Sequence, residues 1–183
     1  MHTRAVNDLE HHYEKHWGPS IAELTWKAGP KHELPDDFTI EVFRRAGNLL
    51  TYATLGLSNP EESGLELFVI APRKEAPVAD ASIAELLTAT AHYHLTGSRL
   101  DVGHIVDFGR PWLLGARSTR GLVSLPYLDG PELEWFGQTR ILWLIPITEQ
   151  ERQLALEQGL EALEQALERS KFEYWNPKRA SVV

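Results

Sequence analysis

The 183-residue sequence contains no cysteine. That excludes disulfides, thiolate metal sites and a cysteine nucleophile, and it fits a reducing compartment. Long apolar runs are missing too. The longest, such as residues 141–145, fall far short of the roughly 20 residues a membrane helix needs. Residues 1–8 hold no apolar stretch of the signal-peptide kind. The expected location is therefore the cytoplasm, with no membrane partner. Positive charge is scarce: 18 Lys and Arg stand against 26 Asp and Glu, a formal net charge of -8. A surface of that sign does not replace the counterions of nucleic acid and is repelled by anionic lipid. It suits a basic partner, because complementary fields speed encounter, although solubility alone explains such a charge. Neither phosphate-cradling glycine motif is present, Gly-x-x-x-x-Gly-Lys-Ser/Thr or Gly-x-Gly-x-x-Gly, and there is no Gly-x-Ser-x-Gly elbow. No repeat, low-complexity tract or linker interrupts the chain.

What remains is an ordinary globular composition, 43% hydrophobic and 24% charged. The length fits one domain spanning residues 1–183. Val6, Leu9, Tyr13 and Trp17 recur at helical spacing, and Gly18-Pro19 stops that helix. A Pro-containing stretch through Gly29-Pro30 follows. In residues 38–44, Phe38, Ile40 and Val42 share one strand face, with Thr39, Glu41 and Phe43 on the other. Gly47 or Asn48 supplies a turn, and residues 49–55 form the return strand. After a loop over residues 58–64, residues 65–70 complete an antiparallel meander. Ser82-Ile83-Ala84-Glu85 has the capping-box pattern and predicts a helix running to Gly97. Residues 100–135 read as short strands and glycine-punctuated loops, with a strand at 122–125. Residues 141–145 are apolar on both faces, so a buried central strand closed by Pro146 is expected. Thr148-Glu149-Gln150-Glu151 is a second capping box, opening one helix to about Arg169 with Leu156, Leu160, Leu163 and Leu167 on one face. That helix holds six Glu against Arg152 and Arg169, half of the chain's net charge. The tail carries Phe172, Tyr174 and Trp175 and is expected to pack back on the body.

Candidate chemistry is thin. His92 and His94 point about 200° apart on a helix and cannot share a metal. His94 lies on the apolar stripe, where a hydrogen-bonded core histidine is the better reading. His12 and His16 share a face but lack a third ligand. His104, Asp107 and Ser118 or Ser124 have triad residue types without triad context. Asp129, Glu132 and Glu134 flank Gly130-Pro131; they read either as an acid/base carboxylate pair or as an exposed acidic loop. Trp112, Tyr127, Trp135 and Phe136 sit in or beside loops, as interface anchors or as lids over the core.

Thr54-Leu55-Gly56-Leu57-Ser58, followed by the acidic-apolar strand 65–70, resembles the suppressor-of-fused domain. Gly103-His104, Gly109-Arg110-Pro111-Trp112 and residues 122–127 resemble that domain's middle. Residues 142–151, with Gly159 and residues 160–163, resemble its last strand and helix. The resemblance implies an α+β fold, a mixed, mainly antiparallel sheet flanked by helices, with no catalysis and no cofactor. It further implies a protein-binding domain. The animal member binds a transcription factor through an added peptide strand, and bacterial single-domain relatives are regarded as immunity proteins against polymorphic toxins. The short chain matches the bacterial group. The expected partner is therefore a toxin domain or an extended peptide segment. A small-substrate hydrolase, built around His104, Asp107 and Asp129, is the remaining alternative. The surface nominated for the partner comprises Trp112, Tyr127, Asp129, Glu132, Glu134 and Trp135.

Overall fold

Two stretches of this sequence are buried on both faces, and they lie next to each other at the centre of one sheet. The computed structural model describes residues 2–29, 33–58, 64–73, 78–170, 173 and 175–183. In chain order the elements are α1 (His2–Trp17), β1 (Ser20–Leu24), β2 (Thr39–Arg45), β3 (Leu49–Leu55), β4 (Gly64–Pro72), α2 (Val78–Thr96), β5 (Ile105–Asp107), β6 (Arg120–Ser124), β7 (Trp135–Phe136), β8 (Thr139–Ile147), α3 (Glu149–Gln158) and α4 (Leu160–Ser170). The sheet order is β1-β2-β3-β4-β8-β6-β5, with β7 pairing the start of β8. Only β4 and β8 run parallel, with Leu67 opposite Leu142; every other pair is antiparallel. The α+β expectation, with its mixed and mainly antiparallel sheet, holds.

Strand periodicity sorts the core into two layers. On one side Ile40, Val42, Tyr52, Leu67, Val69, Val123, Leu142 and Leu144 meet Ala79, Ile83, Leu86, Leu87 and Ala91 of α2. On the other, Phe43, Phe68, Ile70, Ile141, Trp143 and Ile145 meet Leu9, Tyr13 and Trp17 of α1 and Leu163 and Leu167 of α4. The α1 helix and the meander match their sequence pattern, and both Gly47 and Asn48 take positive φ in the turn. No helix among the described residues is long and apolar enough to cross a membrane.

Four expectations need correction. Ser82 and Glu85 do not cap α2, which begins at Val78. Ala79 is already buried against the sheet, and Asp80 accepts a hydrogen bond from the Tyr52 hydroxyl at 2.6 Å, so tertiary contacts carry the helix back past the capping pattern. Second, the helix expected over residues 149–169 is two helices. Gly159, at φ 92° and ψ 164°, leaves helical space, so Leu156 ends on α3 at 61% exposure while Leu163 and Leu167 are buried. Third, Pro146 does not close β8. Parallel pairing to β4 stops at Trp143, so beyond it β8 has one neighbour, and a proline there removes no ladder bond. Fourth, β1 has no counterpart in the sequence reading, and β5 and β7 lie in or at the end of the 100–135 stretch, which reads as short strands and loops without individual bounds. The loop residues 59–63, Pro30, Phe172 and Tyr174 lie outside the described residues.

The capping box at Thr148 is present as expected: its hydroxyl accepts from the Glu151 N–H, and Glu151 returns the bond. Glu151 does more than cap. It is fully buried and ion-paired to Arg179 of the tail, whose Nη2 also donates to the Pro146 carbonyl at 3.0 Å. The Val182 N–H donates to the same carboxylate at 2.9 Å. Trp175 and Val182 pack on the second core layer, so the tail does fold back. Arg179→Ala strands a buried carboxylate, and a loss of about 3–5 kcal/mol is expected in urea unfolding; a loss below about 1 kcal/mol would show the tail to be dispensable. Gly56 has φ 85°, and a Cβ there would lie 2.8 Å from the Asp37 carbonyl oxygen. Gly56→Ala is expected to cost at least about 1–3 kcal/mol in the same assay.

Candidate functional site

The six nominated residues do not form one surface. Trp112 is 1% exposed; it lies in the layer beneath α2, its Nε1 donates to the Arg120 carbonyl at 2.9 Å, and its ring stands edge-on to Phe108. It is a core residue, not an anchor. Asp129 is also inward: its side chain is 8% exposed and accepts from Arg45 Nη2 at 2.6 Å and Trp17 Nε1 at 2.9 Å. That carboxylate joins α1 and β2 to the 129–131 turn instead of facing a partner. Glu134 is engaged with Arg140 at 2.9 Å. Tyr127, Glu132 and Trp135 remain exposed, Trp135 to 53%, with the Arg140 guanidinium 5.4 Å from its ring centroid. Tyr127 donates to Glu164 at 3.4 Å; its hydroxyl pKa is raised, first by burial and then by the Glu164 charge.

The histidines and the triad residue types do not converge. His92 pairs with Glu33 at 2.6 Å, away from His94. His94 Nδ1 accepts the Leu100 N–H at 2.9 Å, as a partly buried histidine would. His104 Nδ1 accepts the Asp101 N–H, while Asp107 accepts from Gly109 and pairs with Arg120. Among the described residues no hydrogen bond joins His104, Asp107, Ser118 or Ser124 to one another, and no group of His, Asp and Glu is arranged to hold a metal.

The feature that does combine shape with free bonding capacity is the β5 edge. Ile105, Val106 and Asp107 lie opposite Leu122, Gly121 and Arg120. The flanking bonds, Val123 N–H to His104 O and Phe108 N–H to Thr119 O, show that His104, Val106 and Phe108 face β6. Antiparallel ladders alternate, so the N–H and C=O groups of Ile105 and Asp107 point outward from the sheet. Beside this edge runs a groove of about 440 Å³ against α2. Leu86, Ala89, Val106 and Phe108 give it an apolar floor. Tyr93 stands half-exposed on one wall, and a Glu85–Arg110 ion pair sits at one end. Gly103 and Gly109, both at positive φ, bracket the strand. They were the only sequence signal for it, because three residues are too few to show alternation.

The Thr54-to-Ser58 motif also has a physical account. Glu66, fully buried on the α1 side of β4, accepts from Thr54 Oγ1 at 2.5 Å, the Ser58 N–H at 2.9 Å and Ser58 Oγ at 2.8 Å. Tyr13 donates to the Thr54 carbonyl from above. The hydroxyl residues of the motif are thus the donors that a buried carboxylate needs, and they fix where the chain leaves β3. Burial raises the Glu66 pKa, while hydrogen bonds from Thr54, Ser58 and Leu57 pull it back down.

The family model of Suppressor of fused protein (SUFU) matches residues 35–180. Among solved structures, the chain is similar to a SUFU homolog from Neisseria gonorrhoeae FA 1090, at 29% identity and a TM-score of 0.81, covering 99% of this chain and 98% of that one. It is also similar to a chain of the Sufu-Fu complex, at 15% identity and a TM-score of 0.74, covering 97% and 92%. Against Drosophila Suppressor of Fused the values are 18% identity and a TM-score of 0.65, covering 97% of this chain and 50% of that one. At those identities the last two establish the fold alone. No curated protein matches the chain.

Two measurements separate structural from exposed roles here. Asp129→Ala is expected to cost about 1.5–3 kcal/mol in urea unfolding, and Trp135→Ala less than about 1 kcal/mol; the reverse order would show Trp135 to be the structural residue. For Glu66, a carboxyl with a raised folded pKa holds its proton more tightly in the fold than in the unfolded chain. Its contribution to stability is full below the ordinary value of 4.5 and is lost as pH rises through the raised value. Glu66→Gln should therefore flatten the stability profile above pH 4.5 relative to the parent. Parallel profiles for parent and variant would show that Glu66 does not titrate in that range.

Proposed function

The chain belongs to the suppressor of fused family, and from that premise we propose that it is a non-catalytic domain that holds an extended segment of another protein against β5. The observation that carries this reading is the outward-facing backbone of Ile105 and Asp107 beside the α2 groove. An added strand gains backbone hydrogen bonds worth about 0.5–1.5 kcal/mol each. Its alternate side chains fall toward Leu86, Ala89 and Phe108, and each fully buried apolar side chain adds about 1.5–3 kcal/mol. Protein binding has a precedent in the similar Sufu-Fu structure, which is a complex. The non-catalytic part of the reading is supported by the separate engagement of His104 and Asp107 in local bonds.

A second reading, neutralisation of a toxin domain in the bacterial cytoplasm, is favoured by one feature. Glu157, Glu161 and Glu168 are exposed on α3 and α4, carboxylates suited to a basic active site. Co-expression with a toxin encoded beside the chain's gene tests it; no protection would end it.

Ile105→Pro tests the strand-addition reading directly. It removes an outward N–H and leaves the β6 ladder intact, the position where a strand tolerates proline. The expected outcome is an unchanged fold by circular dichroism and loss of binding to peptides selected from a random display library. Bound peptide should also slow exchange of the Ile105 and Asp107 amides in the parent. Selected peptides that bind parent and Ile105→Pro alike would place the binding surface elsewhere.

A further inference from the structure

A second cleft, of about 430 Å³, is lined by His94 near the C-terminus of α2 together with residues of β4, β7 and β8. That size suits a small molecule. Its floor is apolar: Leu65, Leu100 and Leu142. Its walls are His94, Arg99, His104, Gln138, Arg140 and Trp135. The hydrogen-bonding capacity of these walls is lopsided. The Leu100 N–H donates to His94 Nδ1 at 2.9 Å, and the Asp101 N–H donates to His104 Nδ1 at 3.2 Å. An imidazole that accepts at Nδ1 carries its proton on Nε2. Both rings therefore offer an Nε2–H donor. Arg99 adds a guanidinium that has no hydrogen-bond or ion-pair partner among the described residues, and Trp135 adds an indole N–H. Among the described residues the one acidic lining residue, Asp101, is already engaged: its Oδ1 accepts from Arg140 at 2.6 Å and from the Val102 N–H at 2.7 Å. Arg140 is held a second time by Glu134.

A chain of net charge -8 has here collected donors around an apolar floor and left one cation without a partner among the described residues. We propose that this cleft binds a small organic anion: a carboxylate or phosphate seated on Arg99 and the two histidine Nε2–H groups, with its apolar body over Leu65, Leu100 and Leu142. Charge-assisted hydrogen bonds from a guanidinium are the strong ones and fit either oxyanion. The half-exposed Trp135, already stacked with Arg140, adds an aromatic wall. The site shares no lining residue with the groove beside β5 and does not depend on strand addition there.

The test is a histidine-resolved NMR titration of the full chain, with inorganic phosphate in one arm and benzoate in the other, at fixed ionic strength. His11, exposed on α1, serves as the reference. Saturable shifts of His94 and His104 in either arm, with His11 unmoved, support the site, and the arm that saturates at lower concentration identifies the oxyanion. Arg99→Gln should weaken that binding by about tenfold or more, the loss of one charge-assisted hydrogen bond. Because Arg99 is exposed, the variant's melting temperature should match the parent's. The proposal is overturned if neither probe saturates, if all histidines shift alike, or if Arg99→Gln binds as the parent does.

Discussion

The parallel pairing of β4 with β8 is the constraint from which the rest of the architecture follows. Both strands are buried on both faces, so both faces of the sheet need cover. The α2 helix lies on one side, α1 and α4 on the other. Parallel neighbours cannot be joined by a tight turn. The chain between them therefore makes a long excursion, and that excursion builds α2, β5, β6 and β7. Because β6 returns antiparallel to β8, β5 is left at the margin with unpaired backbone, and α2 is left beside it. The exposed edge and its groove are by-products of closing the centre.

Polar groups inside this arrangement fix chain exits. Glu66 and its hydroxyl donors set the end of β3, Asp129 ties α1 and β2 to the turn before β7, and Glu151 gathers the last residues through Arg179. In each case a carboxylate too costly to bury alone is matched by donors from another segment of the chain. Packing alone tolerates small slips of one element on another. A buried carboxylate with fixed donors does not, because each slip leaves a charge unmatched.

Much of the centre was legible from sequence because its signals are local and strong. The alternation in residues 38–44, the unbroken apolar run at 141–145 and the capping box at Thr148 all report on their own neighbourhood. The misses arose where distant contacts overruled local ones. Ser82 and Glu85 have the right spacing for a cap, but Ala79 and Asp80 find partners in the sheet and extend the helix. Gly159 was visible, yet helix periodicity on both sides hid the break. At the candidate surface the error was one of type: Trp112 and Asp129 are residues often found at interfaces, and nothing local distinguishes an exposed tryptophan or aspartate from one buried by a partner far along the chain. Arg45 and Trp17 lie far from Asp129 in sequence. The β5 edge is the opposite case: three residues leave no periodic trace, and its importance comes from what the fold withholds from it.

The central position of β8 has a consequence for how the molecule is made. The strand that completes the middle of the sheet is the last one in the sequence, so during synthesis β4 is finished long before its parallel neighbour exists. At roughly 5–20 residues per second the ribosome leaves the β4 flank open for a time on the order of ten seconds. Through that interval the meander β2-β3-β4 presents a dry, apolar flank with only α1 and α2 at hand to shield its faces. An unpaired strand of this kind is open to wrong pairing and aggregation until β8 arrives, and slow codons between β4 and β8 would lengthen the vulnerable interval.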